Sequence, residues 1–310
     1  MGQYPTSNFS RSYLDDGGDW LGSGEAKMIY CHRESDYRNL RLDDIPQEFW
    51  KYFPDCKGKK IFVKPNLVCP PAKWDIASTT RVEVTSLVIE YLMNNGANDI
   101  VVGDCGFKDQ WENTIKISGY DQLPKRYGVQ LIGLQEGPRF HEFTLHRLPE
   151  GSYMSLFGAK LSDTMLSCDF VVNVPKLKVH NLALVTGAIK NMMGTMAQKG
   201  SMHPRGSSDI LHKRLCDFYF LMRDRVGACV MDGIVGSEYA EQCGIPKPAN
   251  ILISSDDMWL MDVAASKILG ISPEEVGYLK YIRATINKSF ASVKVPEDLI
   301  VPFERPVSYK

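Results

Sequence analysis

Several patterns that assign a function at once are missing from this 310-residue sequence. It contains no G-x-x-x-x-G-K-[ST] phosphate loop, no G-x-S-x-G nucleophile elbow and no H-E-x-x-H zinc helix. Gly22-Ser23-Gly24 lacks the preceding strand and the third glycine of a dinucleotide fingerprint. P-loop nucleotide hydrolysis, an α/β-hydrolase and a zincin are therefore disfavoured, and the functional residues must be sought at positions far apart in the chain.

The sequence also lacks an excess of either charge and any long apolar run. It has 36 Lys+Arg against 37 Asp+Glu, a formal net charge of -1, whereas nucleic-acid-binding domains usually carry a basic excess. No uncharged stretch approaches the ~18 residues needed to cross a bilayer. The hydrophobic fraction of 44% is ordinary for a globular protein. We expect no nucleic-acid partner and no membrane span.

The cysteines follow neither a zinc nor an iron–sulfur pattern. There are eight, with no C-x-x-C pair and no ferredoxin-type run. The first residues lack the basic-then-apolar pattern of a secretory signal. Since reduced thiols are the rule in the cytosol, we expect a cytoplasmic protein with free cysteines and without a ferredoxin-type cluster.

Short apolar runs alternate with amphipathic segments, which is typical of an α/β fold. Residues 1–26 are polar and rich in Gly and Ser, so we interpret them as an arm that precedes an α/β domain over 27–310. The domain is predicted to have a mainly parallel sheet with helices on both faces; a division into two lobes, centred on 60–150 and 165–285 with the site between them, is the alternative. The predicted strands are Ile61–Val63, Ile100–Val102, Val129–Leu134, Phe170–Val174, Ala228–Met231 and Ile251–Ile253.

Four segments carry helix signals. Val82–Asn95 is the clearest, because Thr80 and Glu83 have the spacing of a capping box and Gly96 supplies a stop. The other predicted helices are Leu182–Met193, Asp209–Arg223 and one whose first residues are Asp262–Leu269.

Polar residues follow five of the predicted strands. In open parallel sheets the carboxyl ends of the strands face the ligand crevice, so these residues are expected to meet at one rim. The segments are Lys64-Pro65-Asn66, Gly103-Asp104, Pro175–His180, Asp232-Gly233 and Ser254–Asp257.

The segment Pro175–His180 lies in a long stretch of sequence without acidic residues. The 39 residues between Asp169 and Asp209 contain no Asp or Glu, where the chain average predicts about five. A cationic surface punctuated by glycines favours an anionic ligand, either a phosphate or a carboxylate. The alternative is a solvated basic loop and helix. The basic residues of this stretch are Lys176, Lys178, His180, Lys190, Lys199, His203 and Arg205.

These patterns define candidate roles. His180 and His203 are candidate general acid/bases because imidazole titrates near neutral pH, with Lys190 and Asp104 beside them in catalysis. Asp104, His180, His203 and Asp232 are candidate ligands of a divalent metal; structural hydrogen bonds are the alternative for the same residues. The candidate substrate-binding residues are Lys64, Asn66, Thr80, Arg81, Lys176, Lys178 and Asn191.

The order of these motifs resembles the DUF362 family over about residues 28–285. The most specific part of the resemblance is P-K-L-K-V-H at 175–180 followed by T-G-A-I-K-N at 186–191. The matching segments are Val63–Leu67, Thr79-Thr80, Gly96-Ala97, Val102–Asp104, Asn173–His180, Thr186–Asn191, Asp232–Ile234, Ile253–Asp256 and Asp262.

The resemblance implies properties from which this sequence partly departs. Many members carry a ferredoxin-like iron–sulfur segment or a twin-arginine signal, and this sequence has neither pattern. Where the family has Thr-Thr-His, this chain has Thr79-Thr80-Arg81, which retains a cation but loses a titratable ring. The family's G-x-G-P is spread out here as Gly233, Gly236 and Gly244-Ile245-Pro246. The layout is also similar, more loosely, to the nickel-pincer lactate racemase architecture.

We therefore expect an enzyme that acts on a small anionic metabolite by acid/base or metal-assisted chemistry. Oxidoreductase, isomerase and lyase reactions remain open, and the sequence allows a divalent metal or a homo-oligomer without requiring either. The alternatives are a redox accessory protein that binds a cofactor or cluster without its own catalysis, and a noncatalytic regulator or scaffold.

Overall fold

A mixed β-sheet runs through the part of the chain that the computed structural model describes. That part comprises residues 29–68, 70, 77–106, 110–134, 140–142, 153, 155, 156, 159–197, 203, 208–306 and 308. The N-terminal arm predicted over 1–26 lies outside the described residues.

The described chain alternates strands with helices. The strands are β1 (Tyr30–Arg33), β2 (Lys60–Pro65), β3 (Asp99–Asp104), β4 (Gln130–Gly133), β5 (Phe140–Glu142), β6 (Lys160–Ser162), β7 (Phe170–Val174), β8 (Lys176–His180), β9 (Leu184–Thr186), β10 (Val226–Glu238) and β11 (Ile245–Ser255). The helices are α1 (Gln47–Trp50), α2 (Val82–Asn94), α3 (Trp111–Ile117), α4 (Leu123–Tyr127), α5 (Asp163–Leu166), α6 (Ala188–Asn191), α7 (Ser208–Met222), α8 (Met258–Ile268) and α9 (Gly277–Ile286).

The main sheet has the strand order β1-β11-β10-β7-β2-β3-β4, with β8 paired to β10 and β9 paired to β8. Strands β10, β7, β2, β3 and β4 run parallel to their neighbours in this series. Strands from both of the regions 60–150 and 165–285 therefore belong to this sheet, since β2 pairs with β7.

Apolar side chains cover both faces of the sheet. Phe62 packs in one hydrophobic cluster with residues of α7 and α8, whereas Ile61 and Val63 pack in a second cluster with residues of α2. Successive residues of a strand point to opposite faces, so a strand buried on both sides is apolar throughout. The predicted α/β fold with helices on both faces is confirmed.

The fifth predicted strand runs in the direction opposite to the other four. Strand β11 runs antiparallel to β10, so the chain after Ser255 is directed away from the rim where β2, β3 and β7 end. The prediction assumed that every strand was parallel, and an apolar run does not reveal its direction. The Ser254–Asp257 segment instead leads into α8, where Asp257 caps the helix by accepting from the backbone N–H groups of Trp259 and Leu260.

Two further local predictions are wrong. The predicted helix Leu182–Met193 is strand β9, then Gly187, then the short helix α6, because β9 pairs with β8 in a tight hairpin. The predicted capping box at α2 is absent, since Arg81 is the N-cap and provides no side-chain cap.

Two predicted boundaries also shift. Asp232 does not follow a strand end: β10 continues past it to Glu238. The last of the predicted helices begins at Met258 and not at Asp262, so Asp262 lies within α8.

Among the described residues, no helix is both long enough and apolar enough to span a bilayer.

Candidate functional site

Strand β8 places three basic side chains on one face. Lys176, Lys178 and His180 alternate with Leu177 and Val179, and the two aliphatic residues belong to the hydrophobic core. All five residues are buried. The sequence K-L-K-V-H thus has the period of a strand, with its cations on the face opposite the core.

Lys64, at the end of β2, is buried in an ion pair. Its Nζ lies 2.7 Å from Asp104 Oδ1 and 2.7 Å from the carbonyl oxygen of Pro65. The Asp104 carboxylate also accepts from the backbone N–H groups of Leu67 and Cys105, at 2.6 and 2.7 Å. A buried pair of this kind is stable because further hydrogen bonds satisfy the carboxylate.

Gly194 makes the close approach of this pair possible. A Cβ atom at position 194 would lie 1.9 Å from Asp104 Oδ1 and 2.8 Å from Lys64 Nζ. The backbone carbonyl of Gly194 also accepts from the Cys105 N–H at 2.9 Å. A side chain at this position would therefore displace the ion pair.

Three asparagines connect β2, β7 and α6. Asn191 Nδ2 donates to Lys64 O at 3.0 Å and to Asn173 Oδ1 at 2.8 Å, while Asn191 Oδ1 accepts from Asn66 Nδ2 at 2.9 Å. Lys178 Nζ donates to Asn66 Oδ1 at 3.1 Å and to Ser78 O at 2.6 Å. The network orients the Lys178 ammonium group at the rim.

Lys176 forms a second buried pair, with Asp232. Its Nζ lies 2.8 Å from Asp232 Oδ2 and donates to Tyr37 Oη at 2.9 Å. The Tyr37 hydroxyl donates to Asp232 Oδ1 at 2.8 Å and accepts from the Val235 N–H at 3.1 Å. Tyr37 precedes all the motifs described above in the chain, and these hydrogen bonds hold it against β8 and β10.

Thr80 and Arg81 link α2 to the same network. Thr80 Oγ1 donates to Val174 O at 2.7 Å and accepts from the Asn66 N–H at 2.9 Å. The Arg81 N–H donates to Asp232 Oδ2 at 2.9 Å. Its guanidinium group lies 2.9 Å from Glu83 and 5.2 Å from the centre of the Tyr37 ring. Thr80, which was predicted to cap α2, instead links the ends of β2 and β7.

His180 ends β8 as a neutral imidazole. Its Nδ1 accepts from the backbone N–H groups of Leu182 and Ala183, at 2.9 and 3.0 Å, so the ring proton of the neutral form is on Nε2. Burial lowers the pKa of His180 well below its ordinary value, and the charges of Lys190, His203, Lys178 and His212 lower it further. The ring is therefore a hydrogen-bond donor in its resting state.

The two predicted catalytic histidines lie side by side. The His180 and His203 ring centroids are 5.9 Å apart with an interplanar angle of 24°. Glu241 Oε1, from the loop between β10 and β11, is 3.6 Å from His180 Nε2, and Glu241 Oε2 accepts from Asn181. A carboxylate thus lies beside the two histidine rings.

The four predicted metal ligands do not form a cation site within the part of the chain that is described. Asp104 and Asp232 each belong to a different lysine pair, and His180 Nδ1 is occupied by backbone N–H groups. No three His, Cys, Asp or Glu side chains of the described residues are grouped so that they could hold a metal ion. Pairing with lysine explains why these carboxylates are buried.

The described cysteines do not form a cluster. All seven are free thiols, and six of them are buried or half-buried. Burial raises the pKa of Cys31, Cys56 and Cys168 to about 11, so these side chains are protonated thiols at neutral pH. Thiols of this kind are poor metal ligands, because the thiolate is the ligating form.

Sequence reasoning missed several residues of this network. Asn173 interrupts the apolar run F-V-V-N-V of β7, which is a local signal that could have revealed it. The other residues to which the sequence assigned no role are Tyr37, Ser78, Thr186 and Glu241; of these, Thr186 begins the T-G-A-I-K-N motif.

Asp262 holds the α6 segment against the site. It accepts from the backbone N–H groups of Ala188 and Ile189 and from the Tyr278 hydroxyl. A Cβ atom on Gly187 would lie 2.0 Å from Asp262 Oδ1, so this position requires glycine. Burial raises the pKa of Asp262 to about 7.

Comparisons with known proteins place the chain in a family. The family described as "Domain of unknown function (DUF362)" matches residues 61–267, which include the four strands that carry the two lysine pairs. A thylakoid-associated protein of Synechocystis is 23% identical over 226 residues, or 71% of this chain. The chain spans 65% of that relative's length. Since the family match covers most of the sequence, this chain belongs to the DUF362 family.

Proposed function

We propose that this protein is a cytoplasmic enzyme that binds a small anionic metabolite beside β8 and acts on it by acid/base chemistry. The reducing environment that keeps thiols free in most cytosolic proteins suits the free cysteines of the described residues.

The surroundings of His180 carry this proposal. After burial, Lys190, His203, Lys178 and His212 lower its pKa, and the ammonium groups of the two lysines are the permanent positive charges among them. Buried cationic groups that lie close together lower the free energy of an anion that binds beside them. An anionic ligand would also weaken the field that opposes protonation of the ring.

The neighbouring side chains have distinct roles in this proposal. Lys178 and Lys190 attract the anion, and the amide groups of Asn66 and Asn191 hold Lys178 in position. His180 donates from Nε2 to negative charge that develops in the transition state. His203, stacked on His180, exchanges the proton with the ligand.

The first experiment measures anion binding. Native mass spectrometry of the purified protein identifies any co-purified small molecule. The unfolding midpoint is then titrated with inorganic phosphate, acetate and malonate at constant ionic strength, with chloride as the reference anion. We expect at least one of these anions to raise the midpoint of the wild-type protein, and Lys178→Met to abolish that rise.

The matched control is Lys125→Met, because Lys125 is exposed on α4, away from β8. It should respond to anions as the wild type does. Once a ligand is known, His180→Gln should reduce its turnover by about a hundredfold or more. Wild-type protein that no anion stabilises, or a fully active His180→Gln variant, contradicts the proposal.

A further inference from the structure

The hydroxyl group of Thr186 is a buried polar atom without a hydrogen-bond partner. Thr186 ends β9 and is 3% exposed, and its Oγ1 contacts no donor or acceptor among the described residues. Buried hydroxyl groups are nearly always paired, since leaving one unpaired costs about 1–3 kcal/mol. An atom of this kind beside a candidate site indicates that a group outside the protein completes it.

The strand register places Thr186 next to Lys178. The two residues are direct partners in the antiparallel pair of β8 and β9. Side chains of directly opposed residues lie on the same face, with Cβ atoms about 5 Å apart. The Thr186 hydroxyl and the Lys178 ammonium group therefore belong to the same buried face, which also carries His180 one strand repeat, about 7 Å, further along.

We propose that Thr186 and Lys178 together bind one phosphate group of the ligand. The inference rests on the proposed function, because the phosphate occupies the anion site described there. The hydroxyl donates to one phosphate oxygen and the ammonium group donates to another, so the unpaired atom is satisfied only in the complex.

The charge around this face favours phosphate over a monocarboxylate. The ammonium groups of Lys178 and Lys190 act on His180, and the Glu241 carboxylate lies 3.6 Å from its Nε2. A phosphate monoester carries up to two negative charges at neutral pH and offers three acceptor oxygens. It compensates more of the local positive charge than a single carboxylate.

Isothermal titration calorimetry with inorganic phosphate tests the inference. The titrations use wild type, Thr186→Val and Thr186→Ser at constant ionic strength, with acetate as the carboxylate probe. Valine removes the hydroxyl group and keeps the shape, and serine keeps the hydroxyl group. We expect phosphate affinity to fall at least about tenfold in Thr186→Val and to stay near wild type in Thr186→Ser.

Thr114→Val is the matched control, since Thr114 is a buried threonine on α3 whose Oγ1 donates to Gln110 O at 2.8 Å. It should bind phosphate like the wild type while losing thermal stability. Thr186→Val should keep or raise the unfolding midpoint without phosphate, because it removes an unpaired group. Loss of stability in that variant would indicate a structural role and overturn the inference.

The remaining outcomes separate this inference from the proposed function. Thr186→Val that binds phosphate as tightly as wild type, or acetate that binds as tightly as phosphate, overturns the phosphate subsite. Wild-type protein that binds malonate but no phosphate overturns the subsite and leaves the proposed function standing. Protein that binds none of these anions overturns both.

Discussion

At the scale of single residues, two buried lysines of the site are each compensated by one carboxylate. Lys64 pairs with Asp104, and Lys176 pairs with Asp232. Removing one partner of such a pair leaves an uncompensated charge and costs about 3–5 kcal/mol. The sequence predicted that these basic and acidic residues belong to the site. It did not predict which lysine pairs with which aspartate, because the partners are 40 and 56 positions apart.

Gly194→Ala is expected to break the first pair. The added methyl group would overlap Asp104 Oδ1, so the variant should lose about 3 kcal/mol or more of unfolding free energy. Chemical denaturation measures the loss.

Gly128→Ala is the control for backbone strain alone. Gly128 has a φ of 71° and open space around its Cα, so alanine there should cost about 1–2 kcal/mol. Equal losses in the two variants would show that contact with the ion pair does not decide the cost at position 194.

At the scale of elements, the prediction was correct for segments whose own apolar residues indicate that they are buried. Strand β7 was predicted with its exact bounds, and α2 was predicted to within one residue. Strand β8 was missed because Lys176, Lys178 and His180 are unusual in a buried strand. The helix predicted over Leu182–Met193 failed because pairing with β8 overrode the local helical pattern.

The contact between α7 and α9 predicts a pH dependence of stability. His212 Nδ1 accepts from the Tyr278 N–H at 3.1 Å, and the two rings stack. Burial lowers the pKa of His212 from 6.5 to about 4; Asp209 opposes this shift and Lys280 adds to it. The unfolded chain therefore binds the proton first as pH falls, and stability decreases between about pH 6.5 and pH 4, by up to about 3 kcal/mol.

His212→Asn isolates this contribution. Asparagine Oδ1 can accept from the Tyr278 N–H in place of Nδ1 and does not titrate. Denaturation at each pH measures the unfolding free energy of both proteins. The value for wild type minus the value for the variant should decrease as pH is lowered from 7 to 4. Parallel pH curves would contradict the assignment of this dependence to His212.

At the scale of the whole molecule, the direction of each strand decides which polar residues meet. The parallel strands β2, β3 and β7 bring Lys64, Asp104 and Asn173 to one rim. Strand β11 is antiparallel, so the chain after Ser255 runs away from this rim. Strand direction depends on contacts between distant segments, which composition and periodicity do not encode.

The free thiols predict that the fold is independent of redox conditions. Seven of the eight cysteines are described, and all seven are free. Protein purified without reductant and then unfolded should show at least seven thiols per chain on titration with DTNB, and its unfolding midpoint should not change when a reductant is added. Fewer than seven thiols would reveal a disulfide in the native protein.

The sequence by itself determined the alternation of apolar runs and amphipathic helices, the family, and the basic, acid-free character of residues 170–208. These properties depend on residue type and on spacing within short segments. Tertiary structure alone decided which lysine meets which carboxylate, that His180 is a donor through Nε2, and that Thr186 lies beside Lys178 without a partner for its hydroxyl group. Each of these depends on register and burial between distant segments, where a shift of one residue turns a side chain to the opposite face.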